Sequence, residues 1–259
     1  MVRHPRNRGA TAAQQNVAGD GPYDAIKAMI LDHEISPGEH VSIDELARDL
    51  GISQTPVREA LARLEADGLV TKVRYRGYQS TPLLTVHQFD ELFQFRGIVE
   101  SWAAGEAARR STRRNRDALQ AELERARQIR RSDSPTAAYS EFTQHDSALH
   151  TLIARASGNA FVEEAFVRTH CHLHLLRVYR ATVNARREFS NPIEGDFVQD
   201  LFAEYYNSGV QPLALTEHVA IVETIESGDS ELARDLMLNH IESSRRLFAP
   251  AVEALNSLE

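Results

Sequence analysis

Apolar positions recur at three- and four-residue spacing through nearly the whole chain after residue 22, with one interruption near residues 69–81. Tyr23, Ile26, Ile30 and Leu31 make a first helical face, and Pro37-Gly38 then turns the chain. Ser42-Ile43-Asp44-Glu45 predicts a capped helix start, because a serine oxygen can accept the N–H three residues on while the glutamate reaches back. Gly51 ends that short helix, since glycine enters the left-handed region without a Cβ penalty. Thr55-Pro56 opens the next one, threonine as cap and proline at the first helical position, and Gly68 stops it. Residues 69–73 and 78–81 abandon the helical period and predict two short strands, joined at Arg74-Tyr75-Arg76-Gly77 as a hairpin.

From Thr85 onward the pattern is helical. Thr85 and Gln88 form a second capping box, and Phe89, Leu92, Val99 and Ala103 carry an inner face toward residue 110. Further helices are expected over 114–131, 135–156, 160–187, 215–227 and 230–248. The stretch 188–214, with two prolines and two glycines, reads as a long connection holding one short helix at 196–206. The fold class is therefore mainly α. A winged helix-turn-helix over 21–82 follows a disordered arm at 1–20. An all-helical bundle covers 83–250, with a short tail at 251–259.

Composition changes this picture little. A chain of 259 residues, 42% hydrophobic and 25% charged, has material for two packed domains. One cysteine, Cys171, excludes an intrachain disulfide and suits a reducing cytoplasm. No apolar run approaches the roughly 18 residues of a membrane helix. The first 20 residues carry Arg3, Arg6 and Arg8 but no apolar stretch, so they are not a secretory signal. Charge is more telling. Residues 1–82 hold 10 Lys/Arg against 11 Asp/Glu, and the remainder holds 19 against 26. Most of the net charge of −8 thus lies in the second part, which leaves the first free to present a local basic surface.

Three short helices and a hairpin define a winged helix-turn-helix, with small Ala47 where the helices cross, Gly51 at the turn and Val57 as the apolar anchor. Val57, Ala60, Leu61 and Leu64 form the buried stripe of the second helix. That stripe leaves Gln54, Thr55, Arg58 and Arg63 for the major groove of double-stranded DNA. Arg58 can pair bidentately with guanine, and Gln54 can read adenine. Lys72, Arg74 and Arg76 make a basic hairpin tip, where Gly77 permits close approach to the DNA backbone. The plainer alternative is a solvated charged face on a protein-binding winged helix.

The runs Leu50-Gly51-Ile52-Ser53 and Thr55-Pro56-Val57-Arg58-Glu59-Ala60-Leu61, continued by Leu64 to Val70 and by Arg76-Gly77-Tyr78, resemble the reader signature of the GntR superfamily of bacterial regulators. Two departures stand out, Gln54 and Asp44, at positions where the family or some of its members carry arginine. They imply an operator preference of this chain's own.

In the helical part, Asp146 and His150 lie four apart on one predicted helix face. His218 lies 10 residues before Gly228 and His240 lies 12 after it. In an antiparallel hairpin rising about 1.5 Å per residue, the two imidazoles stand at nearly equal height. Three imidazoles and a carboxylate suit Zn, Ni or Mn. With 11 histidines in the chain, coincidence is the plainer reading of the spacing alone. However, Asp146-Ser147-Ala148-Leu149-His150, Ser157-Gly158-Asn159, Glu217-His218, Gly228-Asp229 and His240 resemble the FCD effector domain of the FadR subfamily. That resemblance implies a divalent metal on Asp146, His150, His218 and His240. His170, His172 and His174, beside Cys171, read instead as packing or surface residues.

Arg96 falls on the inner face with Phe89, Leu92 and Val99, so its guanidinium needs a buried partner. Glu100, one turn on, is one candidate. A carboxylate effector gripped by Arg96, with Arg177 as a second contact, is the other. The resemblance further implies a homodimer on a palindromic operator, with repression released by a small carboxylate metabolite. A metal-dependent enzyme acting on a small acid, or a regulator with a purely structural metal, remain the rivals. No nucleophile motif, nucleotide loop or general base beside the metal set supports an enzyme.

Overall fold

The computed structural model describes residues 21–129, 135–185 and 213–257, with side chains from residue 139 in the second span and to residue 184. The arm at 1–20 and the 188–212 part of the connection, with its expected helix at 196–206, lie outside them.

The head begins with α1 (Gly21–Leu31), followed by β1 (His40–Val41), α2 (Ile43–Leu50) and α3 (Gln54–Ala66), and closes with β2 (Val70–Val73) and β3 (Gly77–Ser80). Ser42 caps α2 by accepting from the Glu45 N–H, and Gly51 ends it at φ +68°. The start of α3 is two residues earlier than the Thr55 cap implies: Ser53 occupies the cap position, and Gln54 and Thr55 are already helical. Strand order is β1-β3-β2, all antiparallel, with Val70 opposite Ser80 and His40 opposite Gln79. Ile26, Ile30, Val57, Leu61, Leu64 and Leu69 fill the core of the head.

The helical domain comprises α4 (Val86–Arg110), α5 (Arg113–Arg127), α6 (Pro135–Ala156), α7 (Ala160–Arg168), α8 (Cys171–Ala185), α9 (Leu213–Ser227) and α10 (Ser230–Asn256). Thr85 and Gln88 complete the expected reciprocal cap of α4. The long α4 packs along α10 and against α6, so it forms the spine of the domain. The single helix expected at 160–187 is two. Thr169 caps α7, and His170 turns at φ +46° before α8 begins. The last helix runs on through Pro250 to Asn256, because Leu247, Phe248, Ala251, Val252 and Leu255 keep its buried stripe going.

The head is docked on α8. Arg177 donates to the carbonyls of Thr81 and Pro82, Arg180 pairs with Asp32, and the His170 ring lies over Gly68. A Cβ at Gly68 would stand 2.7 Å from His170 Cδ2, and its φ is +74°. Gly68→Ala is therefore expected to lower stability by about 1–3 kcal/mol, read by chemical unfolding. Adding His170→Ala should restore only the part due to the clash.

Candidate metal centre and nucleic-acid interface

Asp146 and His150 from α6, His218 from α9 and His240 from α10 come together inside the helical domain, at 8%, 2%, 0% and 4% exposure. Available nitrogens of the three imidazoles lie within 4.8 Å of one another, an arrangement that could hold a metal ion. His218 Nε2 is 3.3 Å from His240 Nε2 and 3.4 Å from Asp146 Oδ1.

Each ring is held from behind. His150 Nδ1 meets Glu100, His240 Nδ1 meets Glu217 Oε2 at 2.8 Å, and His218 Nδ1 meets His145 Nε2 at 3.0 Å. With Nδ1 so engaged, Nε2 of each ring points inward. Two buried atoms at the centre, Asp146 Oδ1 and His150 Nε2, have no hydrogen-bond partner. An orphaned pair of this kind costs free energy unless something joins it, and a carboxylate with three imidazoles is the donor set of a borderline divalent cation. The residues fit a metal.

Burial dominates the electrostatics. It pushes the Asp146 carboxyl up to about 8 and the His150 imidazole down to about 4, and it holds His218 well below the usual imidazole range. Burial also works to raise Glu100, but the adjacent Arg96 guanidinium and His150 outweigh it and hold that carboxyl well below the usual range. Of the two partners weighed for Arg96, Glu100 is in place. Arg96 Nε donates to Glu100 Oε1 at 2.6 Å, while its Nη1 is buried without a hydrogen-bond partner. Glu100 thus links Arg96 to His150.

Arg177 lies elsewhere. It is 2% exposed, as an inward position requires, but it points at the linker carbonyls rather than the metal cluster, and burial lowers it to about 10. His172, set aside from the sequence, is buried with its ring centroid 4.9 Å from that of His150. Its Nδ1 lies 3.3 Å from the Cys171 thiol, which burial pushes up to about 12 and so keeps neutral.

On the head, Gln54, Thr55 and Arg58 are exposed along the first turns of α3. The two departures touch: Gln54 Nε2 donates to Asp44 Oδ1 at 2.5 Å, and Arg58 donates to Gln54 Oε1 at 3.2 Å. Arg63 leaves that face. Its guanidinium stacks 4.3 Å from the Tyr23 ring centroid, at the other end of α3. Lys72, Arg74, Arg76 and Gly77 are exposed along the wing. Tyr75, which charge-based reasoning passes over, stands 90% exposed at the tip with Arg74 over its ring.

A winged-helix head is joined here to a helical domain that buries a cluster of three imidazoles and a carboxylate. The profile described as "Bacterial regulatory proteins, gntR family" matches residues 21–79, and that described as "FCD domain" matches 91–243. The chain belongs to the GntR-family transcription regulators that carry an FCD effector domain. Among relatives, it is 23% identical over 218 residues to the uncharacterised HTH-type regulator YdhC of Bacillus subtilis, covering 84% of this chain and 85% of that one. It is 24% identical over 241 residues to the putative L-lactate dehydrogenase operon regulatory protein of Escherichia coli, covering 86% and 83%. The solved Escherichia coli McbR/YncC structure shares the fold at a TM-score of 0.56 and 18% identity, covering 88% of this chain and 95% of that one. Among the described residues no helix is long and apolar enough to cross a membrane.

Proposed function

We propose that this regulator is a cytoplasmic homodimeric repressor, released from a palindromic operator when a small organic acid binds at a divalent metal in the FCD pocket. The observation that carries the reading is the pair of unpartnered buried atoms, Asp146 Oδ1 and His150 Nε2, beside the unpartnered Arg96 Nη1. Asp146, His150, His218 and His240 would hold Zn, Ni or Mn, which supplies a positive centre for a carboxylate. Arg96 would bind the same anion through a charge-assisted hydrogen bond. A hydroxy acid offers a carboxylate and a hydroxyl to such a centre, and the name of the Escherichia coli lactate-operon relative favours that class.

Helix α4 gives the pocket a route to the DNA. Its inner face carries Arg96 and Glu100. Its outer face exposes Ile98 by 73% and Trp102 by 39%, beside Leu238 of α10, along a groove of about 880 Å³. An exposed apolar face of this kind suits a second copy of the chain. A ligand that shifts α4 against that copy changes the spacing of two heads that must match half-sites about 34 Å apart.

Gln54, Thr55 and Arg58 would enter the major groove, with Lys72, Arg74, Arg76 and Gly77 on the flanking backbone, while Arg63 supports α3 through Tyr23. Selection from a library of random duplexes is the test. An inverted repeat should emerge, whereas enrichment of no sequence contradicts a DNA reader. On the selected duplex Arg58→Ala should cost about 1–3 kcal/mol and relax one base position, while Lys72→Ala weakens all sequences alike.

A further inference from the structure

His150 and His240 each rest their Nδ1 directly on a carboxylate, but His218 does not. Behind it stands a second imidazole, and only behind that a carboxylate. His145 is 0% exposed, its Nε2 is 3.0 Å from His218 Nδ1, and its Nδ1 is 2.9 Å from Glu122 Oε1. Arg125, one turn along α5, grips both oxygens of Glu122 at 2.6 to 3.2 Å and so fixes its rotamer. Phe142 stacks parallel to the His218 ring at 6.3 Å and meets the His145 ring edge-on at 5.3 Å, which holds both rings in place.

We propose that Glu122 and His145 are positioning residues that lock the His218 tautomer and thereby set the metal affinity of the centre. The inference rests on the metal reading above. An ionised carboxylate only accepts, so the His145 Nδ1–H donates to Glu122. In a neutral ring Nε2 then carries a lone pair, which accepts the His218 Nδ1–H. His218 Nε2 is left with its lone pair directed at Asp146 Oδ1 and His240 Nε2. With an ionised carboxylate and two neutral rings the hydrogen-bond chain has one solution, and that solution makes His218 a ligand. It also brings α5, which supplies none of the four donors, into the metal centre. Outer partners of this kind orient the ring and raise its basicity, and losing one typically costs 10- to 100-fold in metal affinity.

The test uses the full-length protein, stripped with chelator and titrated with Zn²⁺ against a chromophoric competitor, and separately with Co²⁺ for its d–d absorption. His145→Leu should weaken Zn²⁺ binding by about 10- to 100-fold and alter the Co²⁺ spectrum. His145→Gln keeps an acceptor oxygen toward His218 and should restore most of the affinity. Glu122→Gln, which retains an acceptor but no charge, should fall between them. Leucine and wild type binding Zn²⁺ within twofold, with the same Co²⁺ spectrum, would overturn the relay. So would glutamine behaving no better than leucine, which would make His145 a packing residue. Should the leucine variant not fold, Glu122→Gln with wild-type affinity and spectrum overturns the relay by itself. A wild type that takes up no metal defeats the underlying reading instead, and the two failures are told apart by that control.

Discussion

His218→Ala removes the most deeply buried of the four donors, and stoichiometric metal uptake is expected to disappear with it. The loss should be at least as large as the roughly 10- to 100-fold typical of an outer partner. Metal present at about 100 times its dissociation constant stabilises a folded protein by roughly 2.7 kcal/mol. For a domain of this size that corresponds to roughly 5–10 °C in thermal midpoint. Chelator should therefore lower the midpoint of wild type by that amount and leave His218→Ala unmoved. The alanine also leaves His145 Nε2 and Asp146 facing a void, so the metal-free variant should melt somewhat below metal-free wild type. Elemental analysis is the direct check. Equal metal per chain in wild type and variant contradicts the assignment of this ligand.

Arg96→Met should be at least as costly to stability, for a different reason. The ion pair to Glu100 is all but fully buried, at 1% and 3% side-chain exposure. Breaking a buried pair by removing one partner typically costs about 3–5 kcal/mol, because an uncompensated charge stays behind. Glu100 would keep His150 but lose the guanidinium that holds its carboxyl low. Arg96→Met with Glu100→Gln leaves no such charge and should recover much of the stability, as read by urea unfolding. It should not recover carboxylate binding. A single variant less than about 1 kcal/mol below wild type would show that Arg96 is not carrying the pair.

Local chemistry made much of this legible in the sequence. The cap at Thr85, the glycine stops at Gly51 and Gly68 and the strand pattern of the wing are set by neighbours in the chain, so they read correctly without a fold. The His218–His240 pairing was legible for a related reason: a tight turn at Gly228 fixes the register of two helices. What could not be read depends on which helices face each other. Strand β1 has two residues and exists because β3 lies beside it. The break at His170 carries no glycine or proline to announce it, since packing against Gly68 holds the turn. Arg177 and Arg96 are both inward-facing arginines, and period alone cannot tell a guanidinium that meets linker carbonyls from one that meets a pocket. His172 reads from the sequence as a packing or surface residue, and its neighbour His150 comes from another helix. The partners His145, Glu217 and Glu122, and Glu100 in its contact with His150, follow the same rule. Each is a residue whose role appears only once a second helix is in place.

Gln54 and Asp44 sharpen the DNA side of the reading. As separate departures they imply an operator preference of this chain's own; their contact ties α2 to α3 and passes on to Arg58. Base preference at the Arg58 position should therefore respond to Asp44→Ala as well.

The control of DNA binding by the pocket is tested most directly by the dissociation constant for the selected duplex. It is measured on metal-free and metal-loaded protein, each with and without a panel of small hydroxy acids and dicarboxylates. Coupling between the sites should weaken binding by a factor of roughly 5–150 for at least one acid, on metal-loaded protein alone. A constant that stays the same across metal and every acid contradicts a regulator governed by this centre.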